Sequence, residues 1–406
     1  MAHDSLAALR IPFVRAFALG EATAYLGAQM VSVAVGWDLY ERTRDPFALG
    51  LVGLAELAPA VGLLFVAGHV ADRLPRRNVG MAGHALLAVA VGGLAVIAAA
   101  GASVALVYPV LALVGAVRAF AQPATTTLLA QLLPPPEYQN AAAWLVLVGE
   151  LAAIAGPAVG GLLIALTGGA TAAYAVGAAA NLAFVAALAT LPAVPPAPAE
   201  ERPSAGDVFA GVRFIWRTPA FFGAIALDLF AVLFGGAVAL MPVYARDILA
   251  VGPTGLGLLR AAPSVGAGAA ALLVARLPPW RRPGRVLLAV VAGFGLATVG
   301  FGLSRDLYLS LACLCLVGAF DSVSMVIRAT IEQALTPDRL RGRVAAVNFL
   351  FVGMSNELGA FESGMAAALF GPVAAVVGGG VGTLLIVAAF PFVFPALVRY
   401  APGSVK

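Results

Sequence analysis

The stretch Gly68-His69-Val70-Ala71-Asp72-Arg73-Leu74-Pro75-Arg76-Arg77-Asn78-Val79 decides how this chain is read. It is a charged loop clamped between two long apolar segments in a sequence that is apolar almost throughout. Of 406 residues, 62% are hydrophobic and 11% charged, whereas a soluble domain carries about 25% charged residues. No water-soluble surface can be built from that balance, so the chain belongs in a bilayer.

A helix that crosses a bilayer needs about 20 mostly apolar residues. Twelve segments qualify: 12–40, 46–71, 78–101, 104–132, 138–167, 170–191, 218–248, 254–276, 284–303, 306–333, 342–369 and 372–398. Glycines run through them at high density, as close helix packing in lipid requires. The two-residue alternation of a transmembrane β-barrel is missing. Arg10 and Arg15 precede an apolar stretch that carries Glu21, too long and too polar for a signal-peptide core, so it reads as a retained first helix. Cys313 and Cys315 stand two apart in one helix and point to nearly opposite sides, which disfavours a disulfide or a metal site between them. With His3, His69 and His84 scattered, no metal or other cofactor is expected.

Charge sets the orientation. With the N-terminus placed in the cytoplasm, that side holds Arg10, Arg15, Arg73, Arg76, Arg77, Arg202, Arg213, Arg217, Arg276, Arg281, Arg282, Arg285, Arg339, Arg341, Arg343, Arg399 and Lys406. The other side holds Arg42, Arg44, Arg246 and Arg305, so both termini are expected inside. The net charge of +4 is then an insertion signal, not the footprint of a nucleic-acid partner.

A polar run with Pro192, Pro195, Pro196, Pro198 and Pro203 cannot span and reads as a cytoplasmic linker over 192–217, dividing the chain into repeats at 1–191 and 218–406. The halves echo each other at a spacing of about 200 residues. Pro12 and Glu21 match Pro219 and Asp228, Ala58-Pro59 matches Ala262-Pro263, and Ala119-Phe120 matches Ala319-Phe320. This order implies an all-α membrane protein of twelve helices in two parallel six-helix repeats, with a substrate site expected where they meet.

The opening loop resembles the helix 2–3 signature of the major facilitator superfamily. Gly68, Asp72, Arg73, Arg76 and Arg77 fit the pattern, and Pro75 stands where that family usually has a second glycine. The resemblance implies a cytoplasmic latch, with Asp72 near the start of helix 3 accepting from backbone N–H groups and arginines. The second-half counterpart, Ala275 to Arg282, keeps the bases and lacks the acid.

Gly156, Pro157, Gly160 and Gly161 in helix 5 resemble the motif of the superfamily's antiporters, with Ala152 at the site of a preceding glycine. The plainer reading of those residues is a kinked, glycine-lined packing face. Leu340 to Asn348, Ser355 to Gly364, Gly211 to Ile215 and Gln122-Pro123-Ala124 resemble the branch that holds the enterobactin exporter and related bacterial proton-coupled drug-efflux proteins. That likeness implies efflux of a drug or siderophore exchanged for protons across the bacterial inner membrane.

A charged side chain at mid-membrane costs on the order of 3 kcal/mol, so each is a functional candidate. Glu21, Tyr25, Gln29 and Ser32 follow helical spacing and form a polar stripe on helix 1, expected to line the cavity. A carboxylate in such a place can take a proton from one side and release it to the other. The further coupling candidates are Asp228, Glu150, Arg118, Asp321, Glu357 and Glu362. Arg118 is expected either to couple transport or to pair with Glu21 or Glu150. On helix 10, Arg328 is expected to pair with Asp321 or Glu332 along its own face. Gln29, Gln122, Phe234, Ser324 and Arg328 are the cavity candidates, and Val89 and Ala187 are placed on lipid-facing sides.

The chain is therefore read as a monomeric proton antiporter, not an enzyme, its partners being a small-molecule substrate, protons and the lipid bilayer. A symporter, a uniporter and a non-transporting membrane sensor are the alternatives.

Overall fold

The computed structural model describes residues 6–63, 66–67, 70, 73–193, 205–278 and 280–401, without the side chains of 205–209, 346 and 349. Twelve long or apolar helices follow one another: α1 (Pro12–Thr43), α2 (Pro46–Gly62), α3 (Arg76–Ala99), α4 (Val107–Thr126), α5 (Pro135–Thr167), α6 (Thr171–Ala189), α7 (Pro219–Phe234), α8 (Gly252–Val274), α9 (Pro283–Leu303), α10 (Leu307–Leu335), α11 (Arg341–Phe370) and α12 (Pro372–Val393). Six of them, α1, α2, α5, α7, α9 and α12, begin on a proline, whose missing N–H costs nothing in the first turn. Gly168 ends α5 at φ 74° and Gly371 separates α11 from α12 at φ 87°, both left-handed positions that glycine adopts without strain. At the start of α10 the Asp306 carboxylate accepts from the Leu309 N–H at 2.9 Å.

Ten of the described helices are long and apolar enough to cross a membrane. Of the other two, α1 carries Arg15, Glu21, Asp38, Glu41 and Arg42, and α2 is described over 17 residues. No strand occurs among the described residues. The fold is all-α, with twelve spanning helices in two parallel six-helix repeats.

Two compact units form. The first comprises Met1–Arg44, Leu54–Arg202 and Val251–Ala261, and the second Asp45–Gly53, Pro203–Ala250 and Ala262–Lys406. Inside the first, α1 packs against α5 and α6, and α3 packs against α4 and α6. Inside the second, α7 packs against α11 and α12, and α9 against α10 and α12. The same neighbours recur six helices later, the packing counterpart of the echo in the sequence.

Small residues set these approaches. A methyl group added at Gly20 would stand 2.6 Å from the Ala187 Cβ, and one at Gly177 would overlap Val31. Ala187 thus packs against α1 and does not face lipid, because α1 presents a glycine that draws α6 in. Val89 is 71% exposed, as expected. Phe17 meets Phe184 edge to face at 5.4 Å inside a core that includes Leu128, Leu129, Leu188 and Leu191. In the second unit Tyr244 stacks on Phe301 at 4.5 Å and donates to the Gly302 carbonyl at 2.9 Å.

Three segments differ from the sequence reading. The seventh span is interrupted at Gly235-Gly236, resumes as a short helix at Ala237–Val243, and ends in a π-helical turn at Tyr244–Ile248. Two adjacent glycines without side chains to hold the helix make that break inexpensive. The last span stops at Phe394, before Pro395 opens a short helix to Arg399. Within the linker, Ala205–Arg217 is an amphipathic helix packed on α11, where Gly211 lies against the Arg343 carbonyl and Ile215 is buried; residues 194–204 lie outside the described ones.

Candidate transport site

Among the described residues, two arginines inside the units are held by carboxylates of neighbouring helices. On α4, Gly115 allows the backbone of α2 to approach at Glu56, since a Cβ there would overlap the Glu56 carbonyl. Arg118, one turn further along α4, reaches the Glu56 carboxylate at 2.8 Å. Its partner is therefore Glu56, not Glu21 or Glu150. In the second unit Arg328 of α10 pairs with Asp228 of α7, Nη1 to Oδ2, at 2.6 Å, with side chains 10% and 7% exposed. The same-helix partners expected from spacing are not used: Asn348 of α11 donates to Glu332 at 2.8 Å, and Asp321 sits on an exposed side of α10.

Glu21 differs from these pairs. Its Oε2 is buried and accepts no hydrogen bond. The residue lines a cavity of about 290 Å³ wholly within the first unit, with Phe17 from α1, Thr125 and Thr126 from the end of α4, Leu129 beyond it, and Tyr138, Ala142, Leu145 and Val146 from α5. Further along the stripe on α1, Gln29 donates to the Tyr25 hydroxyl at 3.5 Å, and Ser32 accepts from Arg260 at 3.2 Å. Tyr25 is 45% exposed.

The α5 motif works as a double packing face. Gly156 lies against Gln29 and the Leu26 carbonyl, Gly160 against Met30, and Gly161 against Gly257 and the Pro253 carbonyl at the start of α8, while Pro157 sits inside the helix. Among the latch residues, Gly68 and Asp72 lie outside the described residues. Arg73 is exposed, Arg76 opens α3, and Arg77 donates to the Leu191 carbonyl at 2.8 Å, tying α3 to the end of α6.

The remaining candidates are dispersed. Glu150 and Gln122 are exposed. Phe234 lies against Gly379 and Gly382 of α12, and Ser324 is buried with its hydroxyl unpartnered. The Glu357 carboxylate lies against Gly53 at the start of α2, and Glu362 accepts from Ser363 at 3.4 Å. No three His, Cys, Asp or Glu side chains gather for a metal among the described residues.

Sequence reasoning marks Glu56 as an intramembrane charge but missed it as the partner of Arg118, and it missed the Glu21 cavity wall on α5 and a hydrogen bond at 2.8 Å between His84 of α3 and Asn181 of α6. A signal for the first existed. Gly115 and Arg118 are matched about 200 residues later by Gly318 and Asp321, and Gly318 likewise lies against the Pro263 carbonyl of α8. A glycine one turn from a charge, present in both repeats, marks a close helix approach, and in the first repeat the charge finds its partner there.

Twelve helices in two like units, with charged side chains set inside them, have the form of a membrane transporter. The chain belongs to the major facilitator superfamily, whose family model matches residues 17–360. It is 30% identical over 379 residues to the enterobactin exporter EntS of Shigella boydii serotype 18, covering 92% of this chain and 90% of that protein. The same figures hold for EntS of Escherichia coli strain SE11. Among solved structures it is similar to a bacterial homolog of the human lysosomal transporter Spinster in an inward-facing, unoccupied conformation, with a TM-score of 0.76, 15% identity, and 97% and 100% of the two chains covered. The nucleoside transporter NupG aligns with a TM-score of 0.72 at 14% identity over 96% and 100%. The chain is thus a multi-pass membrane transporter of a small-molecule substrate.

Proposed function

We propose that this transporter exports a small amphipathic molecule, of drug or siderophore type, from the cytoplasm in exchange for protons. It sits in the bacterial inner membrane with both termini cytoplasmic and works by alternating access, residues 1–191 rocking against 218–406. The arginine bias supports the orientation, and the antiporter-type glycines of α5 and the EntS relatives support export.

The observation that carries the coupling is the contrast among charges set inside the helices. Arg118 and Arg328 are held by Glu56 and Asp228, while the Glu21 carboxylate faces a cavity without a partner. A carboxylate so placed can hold a proton or face a substrate, and exchange follows if it cannot do both at once. Substrate entering from the cytoplasm displaces the proton inward, and a proton entering from outside displaces the substrate outward. Asp228, Glu150, Asp321, Glu357 and Glu362 are the coupling sites to examine next, and Asp72 with the basic residues after it closes the cytoplasmic side.

Everted membrane vesicles energised to an acid interior and reporting it with a pH-sensitive dye test this. A panel of amphiphiles added outside should include compounds that discharge the proton gradient in vesicles with the protein and not in those without. Proton movement in the same direction as substrate would make it a symporter, indifference to the gradient a uniporter, and no movement of any compound would end the transport assignment.

A further inference from the structure

The Glu21 cavity has a chemical bias that the family assignment does not supply. Its wall presents acceptors. The hydroxyl of Thr125 already donates to the Ala121 and Gln122 carbonyls and that of Thr126 to the Gln122 and Pro123 carbonyls, so each shows the cavity an oxygen whose proton is taken. Glu21 adds a carboxylate oxygen without a donor. The remaining wall is aromatic or aliphatic, with Tyr138 bringing an aromatic ring that attracts positive charge and the wall's one free hydroxyl. Among the described residues, no lysine, arginine or histidine lines the cavity. Arg118, further along α4, is engaged by Glu56 at 2.8 Å. An anion placed here would meet a carboxylate and lone pairs. An organic cation would meet complementary charge on an apolar bed.

We infer that this cavity binds small monovalent organic cations, an ammonium head carried on one aromatic ring or a short alkyl chain. The volume of about 290 Å³ lies at the lower end of ligand pockets and limits the occupant to that size. This deepens the exporter reading by naming a substrate class for its coupling site. It also separates the chain from a simple transfer of the relatives' cargo.

Binding alone tests it. Purified full-length protein in detergent is dialysed to equilibrium against radiolabelled benzyltrimethylammonium and, separately, benzenesulfonate, a probe of similar size and opposite charge. The cation should bind saturably and the anion should not. Glu21→Gln should weaken cation binding at least tenfold by removing the charge. Ala142→Trp should weaken it as much by filling the cavity while leaving the charge. Both variants are first shown to be monodisperse by size-exclusion chromatography. Saturable benzenesulfonate binding that either variant abolishes, or cation binding unchanged in both, overturns the inference. If the protein discharges the proton gradient with other compounds yet binds no cation, the inference fails and the exporter reading stands. If it binds the cation at Glu21 and moves nothing in vesicles, the exporter reading fails and the binding site stands.

Discussion

Neutralising one member of the Asp228–Arg328 pair should be the most damaging conservative change in the second repeat. The two side chains are 7% and 10% exposed, and their charged atoms are 2.6 Å apart. At an effective dielectric of 20 the Coulomb attraction at that distance is about 6 kcal/mol, most of it spent on removing both ions from water. Asp228→Asn barely changes volume but leaves the Arg328 guanidinium buried without its counter-charge. Removing one partner of such a pair costs about 3–5 kcal/mol, a factor of more than 10² in the folded equilibrium. Replacing both, as Asp228→Leu with Arg328→Met, removes the ion pair and its desolvation together and should recover most of the loss. Thermal unfolding of purified protein in detergent, followed by dye labelling of Cys313 and Cys315 as they are exposed, ranks the three. A single variant as stable as the parent, or a double variant no better than the single one, would refute the reasoning that burial makes this pair mutually dependent.

The Glu56–Arg118 pair should respond more weakly. Arg118 is 43% exposed, so water screens it, and Glu56→Gln should cost about 1 kcal/mol or less in the same assay. Gly115→Ala should do more harm than Glu56→Gln, by about 1–3 kcal/mol, because its methyl group collides with the Glu56 backbone, which cannot rotate away; the yield of monodisperse protein and its melting temperature report it. Asp72→Asn should insert and express normally yet abolish transport in vesicles, since it removes the charge that the latch motif calls for without changing bulk.

Period and composition made the helices legible because each span declares itself locally. Pro12, Pro46 and Pro372 begin helices at the expected positions, Pro135, Pro219 and Pro283 begin theirs within three residues of the expected ones, and the match of Glu21 with Asp228 across the repeats placed both on first helices of their units. Pairings between helices were not legible. Arg328 has Glu332 one turn away, which is all that spacing can show, yet it reaches across to Asp228, 100 residues distant. Ala187 on a mostly apolar helix looked lipid-facing, and the glycine that seats it, Gly20, stands more than 160 residues earlier. The break at Gly235-Gly236 was visible as a dipeptide but not as a break, since glycine pairs elsewhere, such as Gly92-Gly93 in α3, stay helical. The Glu21 cavity depends on α4 and α5 meeting α1, a relation no single helix encodes.

Coupling at Glu21 is the centre of the account, and one measurement addresses it directly. Proteoliposomes holding either the parent or Glu21→Gln are loaded with unlabelled benzyltrimethylammonium or a substrate found in the vesicle panel. Uptake of the radiolabelled compound is then followed with and without an imposed pH gradient. The parent should accumulate label against its gradient when protons flow the other way. With the compound raised at least tenfold to offset its weaker binding, the variant should still exchange label for unlabelled compound at equal pH, but gain nothing from the gradient. Proton-driven accumulation in Glu21→Gln equal to that of the parent would contradict the assignment and move the coupling to Asp228, Glu150, Asp321 or the acids of α11.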